Sequence, residues 1–242
     1  MMTEKSSFDE EFAVIEENYK RITDNIAEAA IKSGRQPEDI TFMAVTKTVP
    51  PALINYALSL GIGLIGENKV QELLSKLEYL EPAGVEKHII GHLQSNKVRK
   101  IIGEVSMIQS LDSVSLADEI SLRAGMAGIT TDVLLEVNIG SEISKTGLPY
   151  EEVLAIAQEI AEKPNIRIRG LMAVPPICGS ETEVRRYFEK MRGLSEELKS
   201  RLKTRIVPDV LSLGMSSDYV PAILEGSTLV RVGSALFGAR RY

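Results

Sequence analysis

The stretch Asp132-Val133-Leu134-Leu135-Glu136-Val137-Asn138 decides the fold. Its three adjacent apolar residues break the alternation of a strand with one wet face and imply burial on both faces. Strands of that kind occur in parallel sheets covered by helices, so helical periodicities joined to further apolar runs are expected on either side. Downstream, a helix is expected at residues 151–161.

The same alternation continues in both directions. Upstream, short β-rich runs at 40–46, 62–65, 88–90 and 105–109 lead to helices at 51–60, onward through Leu80, at 96–102 and at 114–124. Downstream, runs at 166–174, 210–213 and 228–232 alternate with helices at 181–202 and 219–224. Eight β/α units in series favour a closed (β/α)8 TIM barrel over an open doubly wound sheet. Ahead of them Phe8, Phe12, Ile15, Tyr19, Ile22, Ile26, Ala29 and Ala30 recur at helical spacing until Gly34, which makes an extra N-terminal helix. No Pro/Gly/Ser-rich linker interrupts the series, so residues 1–242 are expected to form a single domain.

Composition narrows the function. A net charge of −6 and the absence of Trp argue against a nucleic-acid groove, which needs clustered cations and stacking aromatics. Cys178 is the only cysteine and cannot form an internal disulfide; with no apolar signal core in the first residues, a cytoplasmic location is expected. No apolar run approaches the roughly 20 residues that span a bilayer, so no membrane association is expected.

Barrel chemistry sits where strands end, which selects Thr46, Lys47, Glu67, Asn68, His92, Gln94, Ser216, Ser217, Gly233 and Ser234. Lys47 follows Phe42-Met43-Ala44-Val45; in a partly desolvated pocket a lowered pKa would make its amine nucleophilic toward an aldehyde. A lysine reaching from a strand end to water is the competing reading. Gly214-Met215-Ser216-Ser217-Asp218 and Gly233-Ser234-Ala235-Leu236 fit phosphate-binding loops, where backbone N–H groups meet an anion. Helix capping by Ser217 or Asp218 and a simple turn at Gly233 fit equally well.

Arg231, inside the last run, needs a partner: either a structural ion pair with Glu67 or Asp209, or a cofactor ring nitrogen. His88 and His92 would lie about 13 Å apart on an extended strand, too far to share a metal, so no metal site is expected. Asn68 and Gln94 read equally as rim hydrogen-bonders, and no nucleophile-elbow pattern supports a Ser-His-Asp triad.

Taken together, MAVTKTVP around Lys47, IGENKVQE around Asn68, HIIGHLQSNK from His88, GLMAV from Gly170, LSLGMSSD and GSTLVRVGSALFGARRY resemble the pyridoxal-phosphate homeostasis proteins. These share the fold type III barrel of the alanine racemase group. The resemblance covers nearly the whole chain; Lys87 departs from it, since the family often carries an aromatic before the histidine. It implies pyridoxal 5′-phosphate held as a Schiff base on Lys47, with phosphate contacts from Ser216, Gly233 and Ser234. It further implies Arg231 facing the pyridine nitrogen and Asn68 among the cofactor-binding residues.

Racemases with this barrel continue into a C-terminal β domain that supplies a tyrosine base, and this sequence stops at Tyr242. With Arg231 at the ring nitrogen the cofactor is a weaker electron sink, so robust catalysis is not expected. The expected role is intracellular vitamin B6 homeostasis: buffering the cofactor or delivering it to apo enzymes, by a chain expected to be a monomer. The alternatives are a weak amino-acid racemase or lyase, and a phosphosugar aldolase-like barrel without a chromophore.

Overall fold

The computed structural model describes residues 8–81, 84–142, 145–202 and 206–238. The deciding stretch lies in β5 (Thr131–Asn138), where Val133, Leu134 and Leu135 are all fully buried. It pairs in parallel with β4 (Met107–Leu111) on one side and β7 (Ile166–Ala173) on the other. The remaining order runs from β4 through β3 (Glu86–Ile89), β2 (Leu64–Glu67), β1 (Thr41–Val45), β9 (Leu229–Val232) and β8 (Val210–Ser212) back to β7. Eight parallel strands therefore close into a barrel. A two-residue strand the sequence did not announce, β6 (Leu148–Pro149), adds to the end of β5.

The helices are α1 (Asp9–Lys32), α2 (Pro51–Ser59), α3 (Val70–Lys76), α4 (Ser95–Val98), α5 (Val114–Met126), α6 (Val153–Ala161), α7 (Glu181–Arg201), α8 (Tyr219–Leu224) and α9 (Ser234–Phe237). Most element boundaries shift by one or a few residues from expectation, and two of the shifts have plain physical reasons. The expected 96–102 helix stops at Val98 and continues as tight turns, in which Ile101 N–H bonds Val98 O at 3.0 Å, until Gly103 adopts a left-handed φ of 87°. The second strand reaches Glu67 rather than Ile65, because that carboxylate is buried against a cation instead of seeking water.

Closing the barrel brings β7 and β8 unusually close. Gly170 has φ 144°, and a Cβ there would lie 1.8 Å from Val210 O. Only glycine fits, and the β5/β7 register shifts at the facing residues Val133 and Leu134. The barrel interior is packed by Met43, Leu64, Leu229, Met107, Leu134 and Met172. One outer core lies between the strands and α4 to α7, centred on residues such as Phe188 and Ile120.

A second outer core is sealed by α1, whose Ile15, Ile22 and Ile26 are buried. Burial of each such side chain stabilises by about 1.5–3 kcal/mol. Polar contacts fix the helix's place: Asn18 Nδ2 donates to Leu236 O at 3.0 Å and Asn25 Nδ2 to Tyr219 Oη at 2.9 Å. The added helix thus packs against α8 and α9, and its first turns reach the strand ends where chemistry was sought. No described helix is long and apolar enough to cross a membrane.

Candidate functional site

Lys47 follows β1 directly, and its backbone is held on both sides. Lys76 of α3 donates to Thr46 O at 2.8 Å and pairs with Glu67 at 2.7 Å and Glu72 at 2.8 Å. Thr46 Oγ1 also donates to Glu67 Oε1 at 2.8 Å. On the far side the Thr48 N–H donates to Glu72, and Thr48 adopts a left-handed φ of 64°. That conformation is unfavourable for a β-branched residue and persists only where neighbours enforce it. Burial raises the Glu67 pKa, opposed by Lys76 and Thr46. Burial would raise Glu72 too, but Lys76 and the Thr48 amide together bring it below its ordinary value.

Across the β1/β9 seam, Gly233 presses on Val45: a Cβ at 233 would stand 3.2 Å from Val45 O. The N–H groups of Gly233 and Ala235 both donate to Ser216 Oγ, each at 3.1 Å. Ser216 is brought there by the loop from Gly214, whose φ of 87° and close approach to Ala222 demand glycine. Of the two capping residues considered, Asp218 instead accepts from Met215 N–H at 2.6 Å. Lys47, Gly233 and Ser234 line one cavity of about 680 Å³, together with Thr48, Val45 and residues of α1 including Glu10, Glu11 and Val14. Ser216 stands behind Gly233, while Asn68, half-buried after β2, does not line that cavity.

Arg231 is buried in the barrel interior and makes neither of the ion pairs considered from sequence. Glu67 pairs with Lys76, and Asp209 with Arg169 at 2.5 Å. Instead NH1 donates to Ser212 O at 2.6 Å and Ser212 Oγ at 2.7 Å, and NH2 to Ala173 O at 2.9 Å. Inward-pointing Arg231 and outward-pointing Glu67 lie on opposite faces of the barrel wall, which is why they cannot meet. Burial pushes the Arg231 pKa down to about 10, against the pull of Asp218 and Glu136, so the group stays cationic at neutral pH. Glu136, at the end of β5, accepts from Thr146 at 2.9 Å through one oxygen, and burial raises its pKa.

The two histidines have separate surroundings. His88 is buried against Gln109, whereas His92 lies near the surface 3.0 Å from Asp112. Among the described residues no group of three or more acidic, His or Cys side chains is arranged to hold a metal ion. Sequence reasoning missed the Lys76 brace and the α1 wall of the cavity. Glu72 and Lys76, four apart on a helix, were the available signal for the brace.

The alanine racemase N-terminal domain profile matches residues 18–241. A pyridoxal phosphate homeostasis protein of Aquifex aeolicus (strain VF5) is 41% identical over 226 residues, spanning 93% of this chain and 98% of that protein. One of Escherichia coli (strain K12) is 40% identical over 232 residues, spanning 94% and 97%. The chain belongs to the pyridoxal phosphate homeostasis protein family. A solved structure of PipY from Synechococcus elongatus PCC7942, with PLP bound, superposes with a TM-score of 0.78 at 33% identity and covers 88% of this chain and 100% of that one. The family model, the relatives and the solved structure together bear out the barrel of the alanine racemase group over most of this chain.

Proposed function

We propose that this chain binds pyridoxal 5′-phosphate at the C-terminal mouth of its barrel and serves vitamin B6 homeostasis inside the cell, holding the cofactor and releasing it to apo enzymes. The single observation that carries this reading is that Lys47 shares one cavity with Gly233 and Ser234, and that Gly233 and Ala235 both donate to Ser216 Oγ. An amine and a glycine-serine helix start lining one space suit a phosphorylated aldehyde.

The residues present fit such a ligand. Lys47 would take the aldehyde; the Gly233 and Ala235 amides, which donate to Ser216 Oγ, would share the phosphate with the Ser216 and Ser234 hydroxyls, and Asn68, outside the cavity's lining, would approach from the loop after β2. Arg231, a donor that stays charged and lies outside the cavity's lining, has three of its five N–H donors engaged and would turn a remaining one to the ring nitrogen. When bound, the cofactor supplies an electrophilic aldehyde and a conjugated ring that draws electrons from an attached amine. A cation beside the ring nitrogen disfavours its protonation, which weakens that electron sink and favours storage over turnover. The barrel acts as one domain, in the cytoplasm, as a monomer.

The deciding experiment mixes the loaded protein with an apo pyridoxal-phosphate enzyme and follows both cofactor transfer and amino-acid product. Transfer without product is the expected outcome. Multiple turnovers of an amino acid would favour a racemase or lyase instead, and a colourless protein binding phosphosugars would favour the aldolase-like reading.

A further inference from the structure

Four buried polar side chains form an unbroken hydrogen-bonded line across the barrel interior. Arg231 of β9 donates to Ser212 Oγ of β8 at 2.7 Å, Ser212 Oγ donates to Gln109 Oε1 of β4 at 2.7 Å, and Gln109 Nε2 lies 2.9 Å from His88 Nδ1 of β3. All four residues are buried, His88 with 3% of its surface exposed. β3 and β4 lie opposite β8 and β9 in the closed sheet, so the line bridges the barrel lumen.

The roles along this line are dictated from one end. A guanidinium has no acceptor, so Ser212 Oγ must accept from it and turns its own proton to Gln109. Gln109 then spends its oxygen on Ser212 and presents its NH₂ to His88. His88 Nδ1 must accept, which places the ring proton on Nε2. Burial supports the neutral ring: it pushes the His88 pKa down to about 4, with Asp132 opposing. The Nε2 edge opens on a second cavity of about 770 Å³ at the N-terminal end of the barrel, where Glu86, Asp132 and Arg169 are the charged groups facing it. Glu86 Oε2, 3.8 Å from Nε2, is beyond hydrogen-bond range.

We propose that Gln109 and His88 are positioning residues for Arg231: acting through Ser212 from the far wall of the barrel, they fix where the guanidinium points and hence how it meets the cofactor ring. Three polar side chains are costly to bury in a lumen otherwise filled by methionine and leucine, and an apolar set would close it more simply. What the line adds is orientation. The Ser212 and Ala173 carbonyls anchor NH1 and NH2 from β8 and β7, and the Ser212 hydroxyl takes the second NH1 proton on the lumen side. A hydroxyl whose proton is committed to Gln109 offers the guanidinium a single directed acceptor.

The inference rests on the cofactor reading above, and the test separates the two. Nitrogen NMR of the unloaded wild-type protein should show the Nε2–H tautomer of His88; the Nδ1–H tautomer would overturn the line. In loaded protein, Gln109→Met and His88→Leu should displace the visible absorption band and speed cofactor release about fivefold, because Ser212 loses the neutral hydrogen-bonded line that directs its hydroxyl. His88→Asn, whose side-chain oxygen replaces the Nδ1 acceptor, should restore the band relative to His88→Leu. If the folded variants keep the wild-type band and release rate while losing only thermal stability, the residues are structural and the proposal fails. If the wild type itself takes up no cofactor, the functional reading falls and this inference with it, an outcome distinct from a wild-type band that the variants leave unmoved.

Discussion

At the scale of single residues, Lys47 and Ser216 make separable predictions. Lys47→Ala should remove the visible absorption of purified protein, because no other described amine both lines the cavity and faces the Gly233 cradle. Retention of colour in that variant would disprove attachment there. Ser216→Ala should leave the absorption in place but weaken retention about tenfold, measured by dialysis, since it takes one hydroxyl from the nest formed by the Gly233 and Ala235 amides. His88 makes a prediction of another kind. Unfolded, its ring takes up a proton near the ordinary 6.5; folded, only near about 4, because burial penalises the cation. Between those values the unfolded state binds more protons, so stability falls as pH falls through the window. The contribution reaches about 3 kcal/mol by the lower end. Urea midpoints at about pH 7 and pH 4 should therefore differ less in His88→Asn than in wild type; equal differences would show that another group carries the acid sensitivity.

At the scale of elements, α3 matters for the one cation it sends beneath β1. Lys76 is buried and touches Thr46, Glu67 and Glu72, so Lys76→Met leaves the Glu67 carboxylate desolvated without its cation. Breaking such a buried pair costs about 3–5 kcal/mol. Adding Glu67→Gln should recover part of that loss, because an amide tolerates burial better than an orphaned carboxylate. Thermal unfolding of the single and double variants checks this, and a double variant no more stable than the single would remove the buried charge as the cause. The same element shows where sequence reading stops. Lys47, Ser216 and Gly233 were legible because barrel chemistry gathers at strand ends and those positions follow apolar runs directly. β1 to β9 were legible apart from β6, whose two residues carry no periodicity. The Lys76 brace was legible only in its i,i+4 pair with Glu72; its contacts to Glu67 and Thr46 lie across space, where no strand or helix period encodes them. The Arg231 partners were missed for a related reason: a guanidinium satisfied by the Ser212 and Ala173 carbonyls leaves no charge complement in the sequence.

At the scale of the whole molecule, the question is whether the barrel needs a second copy. A stable interface buries on the order of 1,000 Å² or more around a contiguous apolar centre. The exposed large apolar residues are distributed: Val14 and Ile31 on α1, Tyr79 after α3, Leu122 and Met126 on α5 with Ile129 beyond it, Ile177 before α7 and Val207 before β8. Among the described residues the only neighbouring pair on one helix is Leu122 and Met126, and two side chains fall far short of such a centre. The cavity that holds Lys47 is walled by α1, α2 and the segment after β9 of the same chain. The described walls of that cavity all come from one chain, which is the basis for expecting a monomer. Light scattering across a concentration series should therefore give a mass near 26.6 kDa, unchanged by cofactor loading. A mass of twice that value, lost on replacing Leu122 and Met126 by Lys, would instead make the α5 face an interface and assign those two side chains a role that burial within the chain does not.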